Sequence, residues 1–89
     1  LSLAPLSAQE RPTSEYLGFY PNPVSEGKIF ITSKTAMTKG ITIFDVLGKE
    51  VLQTSLTSKE LNVSSLSPGV YIIKIREGEI TATRKLIIR

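Results

Sequence analysis

Val70-Tyr-Ile-Ile-Lys-Ile-Arg76 limits what this chain can fold into more than any other stretch. Tyr71, Ile73 and Ile75 fall on one face of an extended backbone, and Val70, Ile72, Lys74 and Arg76 on the other. The first face needs a core, and the second grows polar along its length. Alternation with period two also marks Leu61 to Val63 just upstream. Pro68-Gly69 stands between the two runs. Proline presets φ at the second position of a turn and glycine accepts positive φ at the third, so the pair predicts a type II turn joining two strands.

The remaining runs repeat this grammar. Tyr16 to Tyr20 is a first strand, stopped by Pro21-Asn22-Pro23, where two prolines deny amide donors and bias Asn22 away from helix. Val24 to Gly27 turns, and Lys28 to Thr32 is the second strand. Ser33 to Gly40 is a loop with Lys39-Gly40 as its exit turn. Ile41 to Val46 is the third strand. Its apolar phase changes between Ile43 and Phe44, which requires two covered faces or a bulge. Gly48 takes positive φ in a hairpin loop, Glu50 to Thr54 is the fourth strand and Lys59 to Val63 the fifth. After Val70 to Arg76, Glu77-Gly78 forms a tight hairpin into a last strand from Glu79 to Arg89. There Ile80, Ala82, Leu86 and Ile88 share a face that Arg84 interrupts, and Lys85 lies opposite. Seven short strands, turn signals every ~8–12 residues and no helix caps define an all-β, immunoglobulin-like antiparallel sandwich. A small open barrel is the competing architecture.

Residues 1–15 carry Pro5, Pro12 and no sustained period, as expected of a flexible linker or vector-derived leader, with the domain occupying 16–89. The first residue is Leu rather than Met, which suggests a fragment or a processed product. Leu1 to Ala8 lacks the basic start and the length of a signal peptide. A chain of 89 residues is one domain burying roughly 60–65% of its unfolded surface. Without cysteine, its apolar core must suffice for stability.

The same composition narrows the chemistry. No His and no Cys removes a Ser-His-Asp triad, a Cys-His pair and the usual zinc ligands. Most of the acids sit at turns or strand edges, whereas a glycosidase pair needs two of them facing across a cleft. Neither a calcium-spaced Asp loop nor a phosphate-cradling Gly loop occurs. The net charge of +3 is scattered and aromatics are few, which argues against nucleic acid. No run reaches the ~18 apolar residues of a membrane helix. The expectation is therefore no catalytic residue, no metal and no cofactor.

Four blocks carry a resemblance: Phe19-Tyr-Pro-Asn-Pro23, Ile41-Thr-Ile-Phe-Asp-Val-Leu-Gly-Lys-Glu-Val51, Leu66-Ser-Pro-Gly-Val-Tyr-Ile-Ile-Lys-Ile75 and Lys85-Leu-Ile-Ile-Arg89. In that order they resemble the C-terminal sorting domain of type IX secretion cargo (Por secretion system, type A family), over about residues 19–89. The resemblance implies an immunoglobulin-like sandwich that follows a cargo domain in the same chain. That cargo travels through the periplasm to the cell surface or the medium. It implies as partners an outer-membrane translocon, a shuttle protein and a sortase that cleaves ahead of the domain and joins the cargo to lipopolysaccharide. The cut is expected within residues 7–17. The recognition motif carries onto Pro21, Asn22, Pro23, Gly27, Gly69, Tyr71, Lys85, Leu86, Ile87, Ile88 and Arg89.

Each motif residue also has a structural use. Pro21 and Pro23 end a strand, Gly69 suits a turn, and Tyr71 suits a tyrosine corner, whose hydroxyl bonds the upstream backbone. Lys85 faces water and is left for a partner or for discouraging strand pairing. Lys74, Arg76, Arg84, Lys85 and Arg89 all lie in the last two strands. They suggest a terminal edge offered to the shuttle by main-chain pairing, and exposed edges leave a dimer open. The alternative function is a passive fibronectin-like spacer or an adhesive, carbohydrate-binding module.

Overall fold

Alternating apolar residues give the described part of the chain, residues 16–89 of a computed structural model, seven strands. They are β1 (Gly18–Tyr20), β2 (Lys28–Thr32), β3 (Lys39–Phe44), β4 (Glu50–Leu56), β5 (Glu60–Asn62), β6 (Gly69–Glu77) and β7 (Ile80–Ile88). The expected linker, residues 1–15, lies outside the described residues, and so does most of the span expected to hold the cut.

Two separate antiparallel sheets, ordered β1-β2-β5 and β4-β3-β6-β7, face each other. Because they do not join, the fold is the sandwich and not the barrel. In a constant-type immunoglobulin domain the fourth strand completes the sheet of strands one, two and five; here it has moved to the other sheet. Ile29, Ile31 and Leu61 from the smaller sheet meet Ile41, Ile43, Tyr71, Ile73, Ile75, Ala82, Leu86 and Ile88 from the larger, with Leu17, Val24 and Val63 filling the gaps between. Every one of these strand residues obeys the period-two alternation. Burying a side chain of this size contributes about 1.5–3 kcal/mol, so truncating Ile73, which is fully enclosed, costs about 2–5 kcal/mol.

The phase change in β3 is not reset: the strand keeps its alternation, Phe44 lies off the core face, Val46 is exposed in the turn beyond it, and the bulge falls in β4 instead. Ile43 pairs with Leu52 and Phe44 with Glu50, leaving Val51 of β4 without an opposite residue. Pairing with β6 continues unbroken, Phe44 against Ile72, so Phe44 points away from the core.

Four local expectations are corrected. Gly69 has no positive φ; it opens β6 in register with Ile88, and that pairing requires an extended backbone. The reversal lies instead at Ser64-Ser65, where Leu66 N–H donates to the Val63 carbonyl at 3.0 Å. β5 and β6 belong to different sheets, so the segment between them is a crossover and not a hairpin. Lys39-Gly40 is no turn, because both residues pair with β4. β1 begins only at Gly18, since Leu17 turns inward to be buried. At the last hairpin Glu77 pairs with Ile80, so the two-residue loop is Gly78-Glu79, with Gly78 at φ 64°.

Candidate functional site

The first and last blocks of the sequence meet. β7 is an edge strand, and its residues from Lys85 onward would face water with unpaired backbone groups. Asn22 fills that place. Its Nδ2 donates to the Lys85 carbonyl at 3.0 Å, and the Ile87 N–H donates to its Oδ1 at 3.0 Å. One carboxamide thus satisfies an outward acceptor and an outward donor two residues apart, as a neighbouring strand would. Val24 continues the clasp through its backbone. Its N–H donates to the Ile87 carbonyl at 2.7 Å, and its carbonyl accepts from Arg89 N–H at 2.8 Å, making a parallel bridge between Val24 and Ile88. The Val24 side chain is completely buried, which anchors the clasp in the core. Pro21 and Pro23, each after a cis peptide bond, flank Asn22 and bring no N–H of their own to a rim where a donor would lack a partner.

These contacts overturn the expectation of a terminal edge free for main-chain pairing. Lys85 C=O, Ile87 N–H and C=O, and Arg89 N–H are occupied from within the chain. Further along the same edge the Thr83 carbonyl accepts from Arg84 Nη1 at 3.0 Å.

Gly69 and Tyr71 join the same end of the sheet, opposite Ile88 and Leu86. Tyr71 Oη donates to the Ser67 carbonyl at 2.7 Å, the geometry of a tyrosine corner, which ties the crossover to the start of β6. A Cβ on Gly69 would meet Tyr71 Cε1 at an ordinary 3.9 Å, and nothing in the structure explains glycine there. Gly27 is different. Its φ is 75°, a Cβ would stand 3.0 Å from Ser64 Cβ, and its carbonyl accepts from Val63 N–H at 2.8 Å. Conformation and space both demand glycine. It supports the crossover and does not touch the clasp. Leu86 and Ile88 are core residues, Ile87 is half-buried on the outer face, and Lys85 and Arg89 are exposed. Lys85 makes no ion pair among the described residues. A shallow recess of about 320 Å³ beside the clasp is lined by Gly18, Phe19, Asn22, Arg84 and Lys85. Arg84, which interrupts the inner face of β7, donates from Nη2 to the Leu17 carbonyl at 3.2 Å and so holds the chain where it enters the sandwich.

Sequence reasoning missed a second cluster at the other end of β6. Glu77, its side chain 2% exposed, pairs with Lys39 Nζ at 3.2 Å. Its carboxylate also accepts from Ser33 Oγ at 2.6 Å, Thr35 Oγ1 at 2.9 Å and Tyr16 Oη at 3.2 Å. Lys39 Nζ spends its other donors on the carbonyls of Thr35 and Met37. Burial pushes the Glu77 carboxyl up, but the hydrogen bonds from Ser33, Thr35 and Lys39 and the Lys39 charge outweigh it and hold the group below its ordinary value. Burial first, then the hydrogen bond to Glu77 and its charge, push the Tyr16 phenol up. The signal was present in sequence as an acid and a lysine at core-phase positions of two strands. The cluster is fully paired and carries no open coordination position. Among the described residues no group of three His, Cys, Asp or Glu could hold a metal, and no helix is long and apolar enough to cross a membrane.

The fold and the clasp define a class: an immunoglobulin-like β-sandwich module whose last strand is locked by its own first motif. The model of the family of secretion system C-terminal sorting domains matches residues 18–89, and the chain belongs to that family. This is the type IX family that the four blocks resemble. No curated protein matches the chain. Among solved structures it is similar to PorZ, described as an essential bacterial surface component of the type-IX secretion system of Porphyromonas gingivalis, with TM-score 0.66 and 16% identity. The match covers 89% of this chain and 12% of that one, a likeness of fold.

Proposed function

We propose that this domain is a non-catalytic address that directs the protein it belongs to through the type IX system, across the outer membrane, to the cell surface or the medium. Family membership over residues 18–89 carries this reading. The similarity in fold to a domain of PorZ, itself a surface component of that system, is consistent with it. The clasp gives the reading a physical basis. Motif residues far apart in sequence, Asn22 and Lys85 to Arg89, are bonded into one rigid end, so the outer-membrane translocon and shuttle meet a folded shape and not a linear tag. In the same reading a sortase cuts ahead of the domain and attaches the cargo to lipopolysaccharide. Leu17, at the end of the span expected to hold the cut, is buried with its carbonyl held by Arg84, which supports a cut nearer the start of that span.

The test is a foreign passenger with a signal peptide, fused ahead of this chain in a host with a working type IX system. The passenger is expected on the surface or in the medium, without the domain. A passenger that stays in the periplasm while the fused domain is folded overturns the reading.

A further inference from the structure

Alternation normally leaves polar side chains on the water-facing side of an antiparallel sheet. The outer face of the β4-β3-β6-β7 sheet departs from this at one end. Phe44 pairs with Ile72 and Val70 with Ile87, all directed away from the core. Val70 is 43% and Ile72 37% exposed. Beyond Phe44 the β3–β4 hairpin carries Val46 and Leu47, 72% and 89% exposed. The tip is stiff: Asp45 Oδ1 accepts from the N–H groups of Leu47 and Lys49 at 2.9 Å each, and the Gly48 N–H donates to the Asp45 carbonyl at 3.0 Å. These apolar side chains therefore have no route back to the core. The neighbouring pairs Phe44–Ile72 and Val70–Ile87 form an apolar patch on β3, β6 and β7, next in sequence to the exposed hairpin tip, and such a patch on a folded surface marks a binding face.

The rest of this face is basic. Lys74 Nζ lies 5.8 Å from the centre of the Phe44 ring. Arg76 follows on the same strand, and Lys85 stands opposite Ile72. Because Gly40 and Thr42 are small, a furrow of about 420 Å³ runs along β3, lined by Phe44, Gln53, Lys74 and Arg76, with Glu50 as its single acid.

We propose that this face docks an extended segment of another protein in which acidic side chains lie beside large apolar ones. The apolar side chains cover Phe44, Val70 and Ile72, and a carboxylate sits in the furrow between Lys74 and Arg76. Charge decides against a second copy: two such faces in symmetric contact would press Lys74, Arg76 and Lys85 against their own kind. The inference rests on the sorting reading only in placing such a partner in the export machinery. Its test uses the purified 89-residue chain, so a failure here leaves the export experiment untouched, and the reverse.

A displayed library of random short peptides is selected on the immobilised chain, and the best binder is measured by fluorescence anisotropy. The selected peptides are expected to pair Asp or Glu with bulky apolar residues and to bind more weakly as salt rises. Ile72→Ser and Lys74→Glu should each weaken binding about tenfold. Lys59→Glu, the same charge change away from this face, should leave it unaltered. Both test positions are at the surface, so unchanged melting confirms that the variants fold. Peptides without acids, no enrichment, or binding indifferent to Ile72→Ser and Lys74→Glu overturns the proposal. So does self-association by sedimentation, or binding to vesicles of anionic phospholipid, that Ile72→Ser abolishes.

Discussion

At the Gly69 end of β6 the sheet is finished by neutral hydrogen bonds, from buried Val24 and from an exposed Asn22 side chain whose bonds water can reach. At the Glu77 end it is finished by an ion pair shut away from water, with three hydroxyl donors on one carboxylate. Both devices tie a loop to a strand. They differ in what failure leaves behind. Loss of the Asn22 bonds exposes backbone groups that water can satisfy at once. A broken Lys39–Glu77 pair leaves a charge in a place that water cannot enter, and that costs far more.

The sharpest way to break the comparison is Glu77→Ala. It strands the Lys39 ammonium and should cost about 3–5 kcal/mol in urea denaturation, enough to unfold a domain of this size in part at room temperature. Lys39→Met combined with Glu77→Leu should cost clearly less than Glu77→Ala, because the stranded charge is gone. Equal losses for the two variants would show that the pair acts by packing and not by charge.

pH separates the ends without mutation. The folded Glu77 carboxyl is held below its ordinary value of 4.5. A depressed folded value means that its stabilisation is complete above the unfolded value and is lost as pH falls through the folded one. Urea midpoints should therefore drop on acidification below about pH 4.5, and Glu77→Gln should flatten that drop. The Asn22 clasp has no titrating group and should keep its amide protection at Ile87 until the whole domain unfolds.

Asn22→Ala should cost about 1 kcal/mol, since two exposed neutral bonds are exchanged for water. Its signature is local: hydrogen exchange speeds up at the Ile87 amide and not at the amides of β3. Asn22→Asp keeps the acceptor for Ile87 but sets a carboxylate against the Lys85 carbonyl, and should lose at least as much. Uniform acceleration across the domain would mean that the clasp is part of the global folding unit.

The strand faces were legible in sequence because period two is a local property. Ile73, Ile75, Leu86 and Ile88 were placed inward by alternation, and Gly48 and Gly78 by turn chemistry. The crossover was misread because Pro68-Gly69 has strong local turn propensity, which the register of Gly69 with Ile88 overrides. Lys39 and Glu77 were missed because charge argues for the surface, and only their closure across more than thirty residues satisfies both. The clasp was half legible. The two motifs stood out, but nothing local says that Asn22 reaches Lys85 and Ile87. A contact between residues this far apart is written in the topology and not in either segment.

Lys85 closes the comparison with the smallest expected effect. Asn22 bonds to its backbone carbonyl, and its exposed side chain has no ion-pair partner among the described residues. Lys85→Ala should therefore keep the clasp and leave the melting temperature within the few tenths of a kcal/mol, roughly, that a solvated lysine is worth. Structure and recognition then separate cleanly at one position. Unchanged melting with reduced export of a fused passenger assigns the ammonium to a partner in the translocon. Unchanged melting with normal export leaves residue 85 acting only through the carbonyl that Asn22 holds, which any residue could supply.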